Sequence, residues 1–111
     1  MKKAAAAVIV LALAALQISP AEARGNAAAG REKAAQVCAA CHGPEGNKPI
    51  APDQPILAGQ YYDYLVRALT DYKISRRTNP IMKGFAATLS RQDIEDLAAW
   101  FASRQSPLHV K

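Results

Sequence analysis

The apolar residues of this chain follow two patterns, one unbroken run near the start and a 3-4 spacing that recurs further on. The run covers residues 4–16, carries no charge, follows Met1-Lys2-Lys3 and precedes the small residues of Ala21-Glu22-Ala23. A positive start, a short apolar stretch and a small-x-small site together read as a secretory signal peptide, residues 1–23, removed after Ala23. A membrane anchor is the competing reading, but a span needs about 20 apolar residues. Here the run gives way early to Gln17, Ser19 and Pro20.

Beyond residue 23 the spacing predicts helices. Residues 26–42 are rich in alanine, the strongest helix former, and Asn26 can cap them. The stretch that follows carries Pro44, Gly46, Pro49, Pro52 and Pro55, too dense in proline for a helix or a central strand. From Gln60 onward, Tyr61, Tyr64, Leu65, Ala68, Leu69 and Tyr72 keep the 3-4 spacing and predict a second amphipathic helix. It ends before Pro80, which biases Asn79 away from helical dihedrals, and residues 79–89 are expected to form a loop. Ser90 and Asp93 then make a capping box that opens a last helix, on which Ile94, Leu97, Ala98 and Phe101 share one face with Trp100 at its flank. Asp93, Glu95 and Asp96 sit early in that helix and read as capping and solvated charges. The fold class predicted is all-α, with three principal helices and long loops. Loops of that length in a small domain need something to pack against, so a non-protein group is expected at the core.

Charge and size narrow the picture. Removing Lys2, Lys3 and Glu22 takes the 14 basic and 9 acidic residues to 12 and 8, a net charge of +4 in place of +5. Residues 24–111 suffice for one small domain, of a size that often needs a covalent or metal staple. The mild positive excess suits an acidic protein partner or an anionic membrane surface. Its basic residues are scattered and no aromatic-basic motif accompanies them, which argues against nucleic acid.

The chemistry is concentrated in Val37–Asn47, "VCAACHGPEGN", which holds both cysteines and one of the two histidines. Cys38, Cys41 and His42 stand at i, i+3 and i+4, so on a helix their side chains leave from one face. C-x-x-C-H is the attachment signature of c-type haem, with two thioethers from the cysteines and the histidine as an iron ligand. Two other chemistries use the same residues. A Cys38–Cys41 disulfide of thioredoxin type would call for an α/β pattern, which is missing. A structural zinc site needs four ligands, and beyond these three residues the chain offers only His109. For a haem iron held by His42, Met82 is the candidate sixth ligand, a soft thioether forty residues further on, and His109 is its rival near a terminus. Ile56, Leu57, Tyr64, Leu65, Ile81, Phe85 and Leu97 are the expected apolar shell.

"CAACHGPEGN", "PILAGQYYDYLVRAL", "RTNPIMKG" and "LSRQDIEDLAAWFAS" together resemble the small bacterial class I cytochromes c, single-haem proteins similar to one half of the tandem two-haem periplasmic cytochromes. The resemblance covers nearly all of residues 24–111 and implies one covalently attached haem c with its iron, ligated by His42 and Met82. It implies that the first and last helices cross closely, with Gly30 against Trp100 or Phe101. It also implies that a proline carbonyl, from Pro55 or Pro52, accepts a hydrogen bond from the second nitrogen of His42. Relatives tend to carry a glycine where this chain has Ser75, so the turn before Arg76 and Arg77 is strained or differs if that residue adopts positive φ. The function implied is a periplasmic electron carrier, not an enzyme, that shuttles single electrons between larger redox proteins and meets membranes only through membrane-bound redox complexes. Lys48, Lys73, Arg76, Arg77 and Lys83 would surround the haem edge and dock an acidic partner. The alternatives are a ligand-binding haem protein or haem enzyme subunit in which Met82 is labile, and a dedicated subunit of an oxidase or dehydrogenase complex.

Overall fold

The structure is a computed structural model that describes residues 3–4 and 24–107. Apart from Lys3 and Ala4, the expected signal peptide lies outside the described residues, as does His109. Among the described residues there are five helices and no strand: α1 (Ala27–Val37), α2 (Ala39–His42), α3 (Tyr62–Lys73), α4 (Pro80–Ala87) and α5 (Arg91–Ala102).

Local chemistry accounts for where each helix starts and stops. Asn26 is extended, and its side-chain oxygen accepts the Ala29 N–H at 3.1 Å, so α1 has the cap its sequence suggests. α2 continues α1 with a small break at Cys38, whose N–H reaches Ala34 O at 2.9 Å while its carbonyl accepts from His42 N–H at 3.0 Å. The expected single helix over residues 26–42 is therefore two pieces sharing almost one ladder. At the start of α5 both halves of the capping box form: Ser90 Oγ accepts Asp93 N–H, and Asp93 Oδ2 accepts Ser90 N–H, each at 2.9 Å. The hydrogen bond from the Ser90 backbone holds the Asp93 carboxyl below its ordinary range.

The largest departure from the sequence reading is α4. Residues 80–87 form a helix where a loop is expected. Pro80 stops the preceding segment, yet at the first helical position its missing N–H and fixed φ favour a new start. Asn79 completes that start, its side-chain oxygen accepting the N–H groups of Ile81 and Met82 at 3.1 Å each.

The close of α3 answers the question about Ser75, which adopts φ 66° and is the one non-glycine residue with positive φ among those described. Arg76 N–H bonds back to Asp71 O at 2.8 Å and Ser75 N–H to Tyr72 O at 3.3 Å, the paired bonds of a Schellman turn. A serine in this conformation costs on the order of 1 kcal/mol relative to glycine.

Packing joins the two ends of the chain. α5 crosses α1 and also packs on α3, and α3 packs on α4. Ala34, Leu65, Leu89, Ile94, Leu97, Ala98, Trp100 and Phe101 form the buried cluster between them. Gly30 makes the crossing possible: a Cβ there would run into the Asp96 carbonyl and lie 2.9 Å from Trp100 Cβ. This agrees with the contact the resemblance implies. Asp96, in contrast, is not a solvated charge. It is buried, and its Oδ1 accepts the Asn26 N–H at 2.7 Å and the Gln92 amide at 2.8 Å, tying the start of α1 to α5. Lys33 and Asp93 add an ion pair at 3.4 Å across the same helices, and the Arg104 guanidinium stacks 3.8 Å above the Trp100 ring.

Candidate functional site

The segment after α2 turns back on itself and so builds one wall of a cleft. Gly43, at φ 85°, turns the chain out of the helix. Lys48 N–H then returns to His42 O at 3.3 Å and Ile50 N–H to Cys41 O at 3.0 Å. Further along, the N–H groups of Leu57 and Ala58 both reach Gly46 O, at 2.8 and 3.1 Å. This stitching brings Pro55 O to 2.9 Å from His42 Nδ1. Of the two candidate prolines, Pro55 makes the bond. Because a carbonyl can only accept, Nδ1 is the protonated nitrogen and Nε2 keeps its lone pair. His42 is only 5 % exposed, so its ring is held by both packing and hydrogen bonding.

α3, α4 and α5 close the other sides. The resulting cleft, about 180 Å³, is lined by Cys38, Cys41 and His42 from α1 and α2 and by Pro55, Ile56 and Leu57 from the loop. Tyr64 and Leu65 reach it from α3, Ile81, Met82 and Phe85 from α4, and Leu97 from α5. Every pocket residue expected from the sequence therefore lines one space. Sequence reasoning missed Leu69, Tyr72, Ala86, Leu89 and Phe101 as lining residues, although the 3-4 spacing of Leu69 and Tyr72 with Leu65 carried the signal for two of them.

The polar inventory is short. Cys38 and Cys41 are free thiols, and burial pushes the Cys38 thiol up to about 11, so it is held as the neutral thiol rather than as a thiolate suited to metal or exchange chemistry. Among the described residues no group of three His, Cys, Asp or Glu side chains is gathered to hold a metal ion. Of the five cations expected around the site, only Arg77 lines it. Lys73 is instead directed to backbone, its Nζ donating to Leu89 O at 2.5 Å and Ala87 O at 3.3 Å, while Lys48, Arg76 and Lys83 are exposed elsewhere.

These residues fit a flat apolar macrocycle with a central metal. The cleft is walled by aliphatic and aromatic side chains, with two adjacent thiols, a histidine whose free nitrogen is set by the Pro55 bond, and a thioether as its donor set. Such a fold and site define a haem-binding domain of the cytochrome c type.

Comparison with known proteins agrees. The family model described as "Cytochrome C oxidase, cbb3-type, subunit III" matches residues 25–101. The chain belongs to the cytochrome c family, and the group its C-x-x-C-H motif serves is a covalently bound c-type haem with its iron. It is 52 % identical over 85 residues to cytochrome c4 of Pseudomonas aeruginosa, covering 77 % of this chain and 41 % of that protein. With cytochrome c-554(548) of Halomonas halodenitrificans it shares 38 % identity over 84 residues, 73 % of this chain and 99 % of that one. The crystal structure of reduced recombinant cytochrome c4 from Pseudomonas stutzeri superimposes with a TM-score of 0.69 at 42 % identity, over 76 % of this chain and 48 % of that one. The chain thus spans less than half the length of the cytochrome c4 proteins it matches.

Proposed function

We propose that this chain is a periplasmic one-electron carrier in which His42 and Met82 are the axial ligands of a haem attached to Cys38 and Cys41. The observation that carries the reading is that His42, with its Nδ1 bound to Pro55 O, and Met82, at the capped start of α4, line the same apolar cleft as both cysteines. When bound, the haem supplies an iron that alternates between its ferric and ferrous states and so holds or releases one electron.

The chain's residues account for the rest. Pro55 O orients the His42 ring and increases its basicity toward metal. With His42 and Met82 both holding the iron, the protein would leave it no coordination position for oxygen or peroxide, which would separate a carrier from a ligand-binding or catalytic haem protein. The Met82 sulfur favours the reduced form. Ile56, Leu57, Tyr64, Leu65, Ile81, Phe85 and Leu97 keep water from the ring, which limits the solvent rearrangement that accompanies electron transfer.

Residues 1–23 support export as a cleaved leader, with residues 24–111 as the haem domain. No helix of the described residues is long and apolar enough to cross a membrane. Partners are larger redox proteins, soluble or membrane-bound, met through small transient contacts. The test is to reduce the purified holoprotein and expose it to carbon monoxide. An unchanged spectrum, together with a reversible one-electron titration, is expected. A carbon monoxide adduct forming without denaturation overturns the reading in favour of a ligand-binding haem protein.

A further inference from the structure

We propose that Gln54 is the positioning residue for the Pro55 carbonyl, and through it for the His42 ring: its side chain closes the turn before Pro55, where prolines leave the backbone short of donors. The inference rests on the reading of His42 as an iron ligand in an electron carrier. It concerns what keeps Pro55 O at 2.9 Å from His42 Nδ1.

Pro49, Pro52 and Pro55 have no N–H, so residues 49–55 have backbone donors only at Ile50, Ala51, Asp53 and Gln54. Pro52, which does not bond His42, sits at the second position of a tight turn, where its fixed φ is favoured. The turn closes with Gln54 N–H on Ala51 O at 3.1 Å. Ile50 N–H ties the segment to the C-x-x-C-H motif through Cys41 O at 3.0 Å. Gln54 then adds two bonds of its own. Its Oε1 accepts the N–H of Ile50 at 3.1 Å and that of Ala51 at 3.2 Å, so one amide oxygen uses both lone pairs on the backbone that leads up to it.

The two sides of Pro55 are therefore held differently. Beyond it, the N–H groups of Leu57 and Ala58 reach Gly46 O, and the Gln60 amide donates to Ile56 O at 3.3 Å. Before it stands the turn that Gln54 closes. The pyrrolidine ring fixes φ of Pro55, so with both neighbours placed its carbonyl has little freedom to turn from His42 Nδ1. A closed ring of residues results: Ile50 holds Cys41 O, Gln54 holds Ile50 and Ala51, and the proline that follows Gln54 holds His42. Removing the Gln54 oxygen opens that ring at its middle. The Pro55 carbonyl then spends more time turned away, and the imidazole loses the acceptor that sets its tautomer and orientation.

The test follows hydrogen exchange at His42 Nδ1–H in the ferrous holoprotein by proton–nitrogen NMR. The Leu97 backbone N–H, inside α5, is read beside it as the report of whole-domain opening. Gln54→Met keeps the length of the side chain and removes the acceptor. The ring N–H is expected to exchange about three- to tenfold faster, with the Leu97 rate within about twofold of the parent. Gln54→Glu keeps an accepting oxygen and is expected to stay within about twofold of the parent at both positions. Should Gln54→Met fail to mature with haem, Gln54→Ala, which removes the same oxygen without adding bulk, takes its place with the same expectations. A ring N–H that the acceptor-free variant leaves within about twofold of the parent overturns the proposal. So does an equal acceleration at Leu97, which would make Gln54 a contributor to overall stability alone, or a glutamate variant as fast as the methionine one. A parent without a reversible one-electron titration loses the carrier reading and this inference with it; a parent that titrates but whose ring N–H is unmoved by Gln54→Met loses this inference alone.

Discussion

The two walls of the cleft that present His42 and Met82 are built on different principles. On the His42 side the chain is stitched to itself: the loop after α2 returns backbone bonds to Cys41, His42 and Gly46, and the imidazole is 5 % exposed with Nδ1 locked to Pro55. On the Met82 side stands a single eight-residue helix, with open space around Gly84. Its fastenings are at its ends. Asn79 caps the start, and Lys73 Nζ reaches the carbonyls of Ala87 and Leu89 just beyond the finish. A thioether has no N–H to donate, so it lacks an orienting hydrogen bond of the kind that fixes the imidazole, and position alone must present it. On the proposed ligation, the haem would be held firmly from the histidine side, while the methionine side would depend on the end fastenings of α4.

Three substitutions sharpen that contrast. Gly46→Ala attacks the stitched wall: φ is 72°, and a Cβ would lie 2.7 Å from Phe101 Cδ1 and 2.9 Å from Leu57 Cβ. Backbone strain and overpacking together should cost about 3 kcal/mol, seen as a large fall in the denaturant midpoint of the holoprotein. Lys73→Met loosens the strap instead, leaving two helix-end carbonyls to water. A loss of about 1 kcal/mol is expected, with faster hydrogen exchange confined to α4 and the turn into α5. If the whole domain became uniformly less stable, the strap would not be an independent element. Smallest, and opposite in sign, is Ser75→Gly, which relieves the left-handed residue but adds freedom to the unfolded chain. It should stabilise by roughly 0.5 kcal/mol, measurable as a small rise in thermal midpoint.

The same division explains how much could be read from the sequence. The histidine wall was legible because its determinants are local: C-x-x-C-H lies within five residues, and Pro55 is thirteen residues from His42. So were the caps at Asn26 and Ser90, which act within three residues of themselves. Gly30 against Trp100 was reached through the resemblance rather than by spacing. The methionine wall was harder to read, since Pro80 signals a helix stop and a helix start equally well, and the neighbouring Pro and Asn dominated the reading of residues 79–89. Asp96 was misread as a solvated charge, and Lys73 was placed among the cations around the haem edge, for a related reason. Asp96 meets Asn26 seventy residues away, and Lys73 meets carbonyls fourteen and sixteen residues away. Nothing in a local window distinguishes a lysine that caps a distant turn from one that faces water.

The central claim is that Met82 closes the iron opposite His42. Its most direct test is the optical spectrum of the ferric holoprotein in the far red, where methionine sulfur on haem iron gives a weak charge-transfer band, recorded for the parent and for Met82→Ala. The account predicts the band in the parent and its loss in the variant, with helix content unchanged because Met82 does not cap or brace α4. A parent spectrum without the band, or a variant that keeps it, would contradict the account.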